Sequence, residues 1–182
     1  MLRVISGKYR SRQLKEVKID STRPTTDKNK EVLFNSLGQF FSGGRVLDLF
    51  SGSGALGIEA LSRGFNVLDS VENNFKAIKT IKDNLSSLKI EEETNVYKTD
   101  VFQFLKTTDY KYDLILADPP YKLNRYNDIL DLISSRQLLN IGGIIVLESE
   151  NSLILPETFN DLITYKVKTL GYSKFTFYRR GE

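Results

Sequence analysis

Residues 46–63 constrain the fold more than any other stretch. Val46-Leu-Asp-Leu-Phe50 is a short apolar run of the kind that forms a buried strand. Ser51-Gly-Ser-Gly-Ala-Leu-Gly57 follows at once and opens a helix that the pattern carries to about Arg63. Gly52, Gly54 and Gly57 therefore make a G-x-G-x-x-G in the strand–turn–helix setting that gives the spacing its meaning. Lacking side chains, Gly52 and Gly54 let backbone approach a ligand, while Gly57 lets the helix sit close on a sheet. A glycine turn serving packing alone is the competing reading, and the setting favours the ligand.

Downstream, strands and helices alternate. Asn66–Val71 reads as a second strand ending at Glu72, and Thr94–Lys98 as a third. Between them Asn73–Leu88 is helical, with Phe75, Ile78, Ile81 and Leu85 on the inner stripe and Lys76, Lys79 and Lys82 outside. A short helix Val101–Lys106, a strand Leu114–Ala117, a helix Tyr126–Ser135 and a strand Gly143–Ser149 complete the alternation. Ile163–Leu170 and Lys174–Tyr178 then form a hairpin through Gly171-Tyr172 at the sheet edge. This order predicts an α/β, Rossmann-like, doubly wound sheet, mostly parallel, with an antiparallel C-terminal edge hairpin. A chain of 182 residues with 40% hydrophobic and 27% charged residues fits one domain. No apolar run approaches the ~18 residues of a membrane span, and the polar start lacks a signal-peptide core.

Residues 1–42 read as an extension of the core at 43–182. Leu2–Ser6 and Gln13–Ile19 predict a small β-hairpin, and Thr26 or Asp27 caps a helix with Val32, Leu33, Leu37 and Phe40 or Phe41 on one face. Gly43-Gly44 is expected to end that helix. Residues 1–30 hold nine Lys/Arg against Glu16, Asp20 and Asp27, although the whole chain nets only +3. A basic front on a slightly acidic body points to a polyanionic partner. Tyr9, set among Lys8, Arg10 and Arg12, can stack on an unpaired base while its neighbours meet phosphates. For any one of these residues, solvated surface is the alternative.

The chemistry is bounded by what is missing. With no cysteine and no histidine, there is no disulfide, no thiolate, no Ser-His or Cys-His pair, and no expected metal site. Catalysis must rest on carboxylates, backbone groups, lysines or a borrowed reactive cofactor. Leu114-Ile-Leu-Ala-Asp-Pro-Pro-Tyr121 places such groups at the carboxyl end of a strand, where open α/β sheets bind ligands. Pro119 and Pro120 stop the strand because neither can donate to a neighbour. The Asp118 carboxylate, the carbonyls and the Tyr121 ring suit a flat group bearing an NH2, such as a nucleobase. A stiff turn with an exposed Asp is the other reading. Glu72 lies 20 residues beyond Gly52, where this fold offers a carboxylate to a ribose diol, unless it is an ordinary strand-end acid. Asp100 either caps the helix at Val101 or faces the base of a nucleoside. Of the two candidate cofactors, NAD would bring its pyrophosphate against Asp48, whereas S-adenosylmethionine (SAM) brings an ammonium. With no histidine to handle protons, SAM is favoured.

These residues carry a resemblance. Asp48-Leu-Phe-Ser-Gly-Ser-Gly-Ala-Leu-Gly57, with Glu72, Asp100 and Asp118-Pro-Pro-Tyr121, resembles the class I SAM-dependent amino-methyltransferases. Gly7-Lys-Tyr-Arg-Ser-Arg-Gln-Leu14, Arg23-Pro-Thr-Thr-Asp27, Lys30-Glu31 and Leu33-Phe-Asn35 narrow it to the bacterial RsmD-type 16S ribosomal RNA guanine-N2 methyltransferases. The similarity spans nearly the whole chain, including Glu148-Ser149. Three positions depart from the family: Tyr121, where Phe is usual and Tyr is common in adenine-N6 enzymes, and Lys28 with Lys30, where the family has a basic pair of arginines.

The resemblance implies that Asp48 and the loop of Ser51, Gly52 and Gly54 hold the methionine part of SAM. Glu72, with Asn73 beside it, takes the ribose, and Asp100 with the Val101 N–H holds adenine. Asp118 and the Pro119 carbonyl accept the two N–H bonds of the target amine, and Tyr121 stacks on a flipped-out base. Lys8, Tyr9, Arg10, Arg12, Arg23, Thr25 and Lys30 face RNA. The expectation is a cytoplasmic monomer acting on ribosomal RNA within an assembling small subunit, with the amine proton leaving to water. The rivals are an adenine-N6 DNA or RNA methyltransferase and a non-catalytic nucleic-acid-binding module on the same fold.

Overall fold

The computed structural model of the chain describes residues 1–18 and 25–182, so Arg23 and Ile19 lie outside the described residues, and within them the expected hairpin strands Leu2–Ser6 and Gln13–Ile19 shorten to two residues each. Among the described residues, ten strands and five α-helices alternate as the pattern requires. A two-stranded ribbon, β1 (Leu2–Arg3) with β2 (Gln13–Leu14), precedes α1 (Asp27–Leu37). The main sheet holds β3 (Arg45–Leu49), β4 (Val67–Glu72), β5 (Thr94–Lys98), β6 (Tyr112–Ala117), β7 (Leu139–Glu150), β8 (Thr158–Phe159), β9 (Leu162–Leu170) and β10 (Ser173–Arg180). The remaining helices are α2 (Ala55–Ser62), α3 (Phe75–Leu88), α4 (Val101–Thr107) and α5 (Tyr126–Ser135). Strand order is β5-β4-β3-β6-β7-β10-β9-β8. The first five are parallel, and β10 inserts antiparallel between β7 and β9.

Alternation along the central strands feeds two cores. Val46, Leu114, Leu116 and Val146 face the side covered by α1, α2 and α3. Leu47, Leu49, Ile115, Ala117, Ile145 and Leu147 face α4 and α5. Burial on both faces is why these strands read as near-continuous apolar runs. Each fully buried Leu, Ile or Phe here contributes about 1.5–3 kcal/mol relative to exposure.

Leu2, Val4 and Leu14 of the ribbon region, with Leu33 and Phe34 of α1, share the first core with Ile58 and Leu61 of α2. A buried ionic knot reinforces that docking. Glu59 of α2 is fully buried and accepts from the Ile5 N–H (2.9 Å), the Ser6 N–H (3.1 Å) and Arg63 Nε (2.9 Å). Lys30 Nζ stands 3.9 Å from the same carboxylate.

Three local expectations shift. α1 starts as expected, with Thr26 Oγ1 accepting from the Asn29 N–H, but it ends at Gly38 (φ +121°), not at Gly43-Gly44. Phe40, beyond that end, is consequently 63% exposed, and Phe34 takes the core position. Asn74 caps α3 by accepting from the Lys76 and Ala77 N–H groups, so Phe75 falls in the first turn and is 71% exposed instead of lying on the inner stripe. β7 begins at Leu139, four residues before the expected Gly143, its register against β6 shifting between Tyr112 and Leu114. Among the described residues, no helix is long and apolar enough to cross a membrane.

Candidate active site

The glycine turn sits where β3, in mid-sheet, has its neighbours β4 and β6 running to opposite sides. Gly54 (φ +83°) occupies the left-handed region at the start of α2, a conformation that strains any side chain. A Cβ on Gly52 would meet nothing within 4 Å, so the space beside the loop is open, whereas one on Gly57 would lie 2.6 Å from Leu68 Cδ1. The first glycine thus leaves room at the turn and the third brings α2 onto the sheet. Asp48, 1% exposed, accepts from Ser51 Oγ (2.7 Å) and the Gly57 N–H (3.1 Å). Burial pushes its carboxyl up to about 7; the Ser51 and Gly57 hydrogen bonds pull the other way, and Glu72 adds a like charge.

Glu72 ends β4 half-buried. One of its oxygens accepts from the Gly52 N–H (2.8 Å), and the other from the Asn73 and Asn74 N–H groups (3.0 Å each). It therefore ties the glycine turn to the next strand tip, and the oxygen that accepts from Gly52 keeps further acceptor capacity. Asp100 follows β5 and is exposed; it caps α4 by accepting from the Gln103 N–H (3.1 Å), with Val101 buried in the first turn. Capping and a ligand-facing position coexist here, because the strand tip and the helix start coincide.

Beyond β6 the chain turns at Asp118-Pro119-Pro120 into one turn of 3-10 helix, Tyr121–Leu123, closed by the Leu123 N–H on the Pro120 carbonyl (2.9 Å). Asp48, Leu116 and Val146 are in register across β3, β6 and β7, and Asp118 and Glu148 lie two residues further along the latter two strands. Three acids thus stand at three adjoining strand tips. Burial pushes the Asp118 carboxyl well above the carboxylate range; the charges of Glu148 and Asp48, and a hydrogen bond with Glu148, push the same way. Tyr121 Oη lies 3.0 Å from Ser173 Oγ of β10, which links the corner to the edge hairpin. The Tyr126 phenol is pushed up by burial and then by Asp118 and Tyr121 nearby. A cleft of about 310 Å³ opens alongside, lined by Asn124, Arg125, Tyr126, Leu153 and Leu155 among others.

Glu148 was not among the residues expected at the site. Its sequence signals are an acid at the end of an apolar run and a place in the family resemblance, and the adjacency of β7 to β6 is needed to tie either to Asp118.

Of the expected RNA-facing residues that the structure describes, three are exposed, two are half-buried and one is buried. Lys8, Arg10 and Arg12 are exposed, Arg12 donating to the Ser87 carbonyl (2.7 Å). Tyr9 is half-buried against the first core, with Lys8 Nζ 5.3 Å from its ring. This tip docks on the carboxyl end of α2, the Lys8 N–H donating to the Ser62 carbonyl (2.7 Å). One helix length, about 12 Å, separates it from the glycine turn. Thr25 is half-buried just ahead of α1. Lys30 corrects the expectation: it is fully buried, donates to the Arg3 carbonyl and stands 3.9 Å from both Asp27 and Glu59, so it is unavailable to a phosphate.

Comparison with known proteins agrees with this architecture. The family model described as conserved hypothetical protein 95 matches residues 2–179. The "Putative rRNA methyltransferase YlbH" of Bacillus subtilis is 44% identical over 182 residues, covering 98% of this chain and 99% of that one. Ribosomal RNA small subunit methyltransferase D of Haemophilus influenzae is 33% identical over 183 residues, covering 98% and 93%. A solved structure, "Putative methyltransferase yhhF from Escherichia coli", matches with a TM-score of 0.88 at 30% identity, over 99% of this chain and 98% of that one. The chain therefore belongs to the conserved hypothetical protein 95 family, that of ribosomal RNA small subunit methyltransferase D.

Proposed function

We propose that this chain transfers a methyl group from SAM to the exocyclic N2 amine of a guanine in small-subunit ribosomal RNA. The observation that supports the reading is the meeting of Asp48 and Asp118 at adjoining strands, one beside an open glycine turn and the other at the proline corner. The residues present fit SAM. A buried, acceptor-rich Asp48 suits an ammonium, the open side of Gly52 leaves space for the chain that carries it, Glu72 suits ribose hydroxyls, and Asp100 with the Val101 N–H suits adenine. When bound, SAM supplies a methyl group that is already electrophilic.

The protein's task is then alignment. A guanine amine donates its lone pair into the ring and attacks poorly. Asp118 and the Pro119 carbonyl accept its two N–H bonds, hold it toward the donor, and favour a more tetrahedral nitrogen as positive charge grows. Hydrogen bonds to a charged acceptor contribute about 1.5–3 kcal/mol each, and near-attack alignment of two bound reactants roughly 7–11 kcal/mol. Positioning thus outweighs any single contact, with Asp118 adding electrostatic stabilisation. Tyr121 stacks on the base, which must leave its helix to enter the cleft, so loops and bulges of RNA are the natural targets.

Exposed Lys8, Arg10 and Arg12, with Tyr9, Thr25 and Arg23, take the flanking RNA. The relatives' names support a ribosomal substrate. A cytoplasmic monomer working on an assembling subunit completes the reading. The test is transfer of labelled methyl from SAM to small-subunit ribosomal RNA by the purified chain, followed by nucleoside analysis. Label in N2-methylguanosine supports the proposal. Label in N6-methyladenosine selects the adenine enzyme that Tyr121 leaves open, and SAM binding without transfer selects the silent module.

A further inference from the structure

Asp118 does not act from an isolated position. Leu116 pairs with Val146 and Ala117 with Leu147, so Asp118 and Glu148 are the next cross-strand neighbours. Leu116 and Val146 face the α1–α3 side, and the two acids, each two residues on, follow them there. Glu148 is 7% exposed, and after burial its charge is the largest influence raising the Asp118 carboxyl. Ionised carboxylates only accept, so a single proton held between the two would satisfy both. Asp48 from β3 faces the pair, and the Tyr126 phenol beside it feels Asp118, Tyr121, Glu150 and Glu148; on the β10 side, Phe175 is opposite Glu148. The charged groups in that set are all acids, which opposes ionisation of both members. Burial first, and then the same crowding, raises the affinity of Asp118 for a proton.

We propose that Glu148 is a positioning residue for methyl transfer: it shares one proton with Asp118, so that the pair meets the substrate as a monoanion presenting an Asp118 oxygen to the amine, and then takes up the proton that the amine sheds. The inference rests on the reaction proposed above. Its balance closes within the site. The amine lone pair forms the N–C bond, the sulfur keeps the pair of the broken S–C bond, and one N–H proton passes to the carboxyl pair. A sulfonium of +1 against a pair of −1 becomes a neutral thioether against a neutral pair. The proton thus has an acceptor in hydrogen-bond reach, in place of direct departure to water.

Infrared titration of the cofactor-free protein reads the shared proton without turnover. An Asp48→Asn background removes the third carboxyl of this cluster. There, the protonated-carboxyl band is expected to persist to pH values at which exposed carboxylates are ionised. Adding Glu148→Gln should move its loss to lower pH, since Asp118 is freed of a like charge. In the otherwise native enzyme, Glu148→Gln should lower kcat by about tenfold or more, at or below the low end of what acid–base groups contribute. The acid limb of the rate profile should move to lower pH, KM for RNA should change less than threefold, and Glu148→Asp should recover part of the rate. An unmoved band, or an unmoved kcat profile, overturns the proposal. A shifted band in a protein that methylates no RNA defeats the reaction itself, and Glu148's role in it, while the shared proton stands.

Discussion

Replacing Asp48 by Asn should change the stability of the cofactor-free protein in a way that depends on pH, with a sign fixed by burial. Asp48 titrates at about 7 in the folded protein against 3.8 for an unperturbed aspartate, because burial outweighs the hydrogen bonds from Ser51 and Gly57. Between those values the folded state holds a proton that the unfolded chain has released. Stability therefore falls as pH rises through that window, and the loss is complete above it. The separation corresponds to about 4 kcal/mol. Asn is nearly isosteric and its Oδ1 can accept from Ser51 and Gly57, but its N–H2 must find partners, a fixed cost of about 1–3 kcal/mol. That cost does not vary with pH. Urea unfolding of both proteins from pH 4 to pH 8 should show their difference swinging by about 4 kcal/mol, the variant losing at the acid end and gaining at the alkaline end. Groups common to both cancel in the comparison. A difference that stays constant across the range would refute the reasoning, since it would mean that Asp48 folds already ionised.

Three further outcomes follow from the same geometry. Asp118→Ala should abolish methyl transfer while SAM affinity, read by calorimetry, stays within a few-fold; wild-type turnover would remove Asp118 from the mechanism. Glu59→Gln leaves Lys30 and Arg63 buried beside a neutral partner and should cost about 3–5 kcal/mol in urea unfolding, with a loss under 1 kcal/mol counting against the ionic knot. Arg10→Glu with Arg12→Glu should weaken RNA binding and flatten its salt dependence by about 1.5 in the log–log slope, whereas an unchanged slope returns both residues to solvated surface.

Local chemistry made much of the fold legible. Val46–Phe50 and Leu114–Ala117 are apolar on both faces because helices cover both, and the glycines after Phe50 announce the turn without tertiary context. The acids Glu72, Asp100 and Asp118 each follow or end a strand, and Asp48 lies one residue before the end of β3, so the strand pattern places them near one edge. What was hidden depends on distant partners. Lys30 reads as one more surface cation until Glu59, on another helix, is folded against it. Glu148 gains a role only when β7 is laid beside β6, which no local spacing specifies. Phe75 satisfies the helical stripe, yet the Asn74 cap puts it in the first turn, where the stripe has not yet met the sheet.

The most direct test of the central claim is a map of methylated nucleosides in small-subunit ribosomal RNA from cells with and without this chain. The account predicts that one N2-methylguanosine disappears on deletion and returns with the wild-type chain but not with Asp118→Ala. An unchanged map, or the loss of an N6-methyladenosine instead, would contradict it.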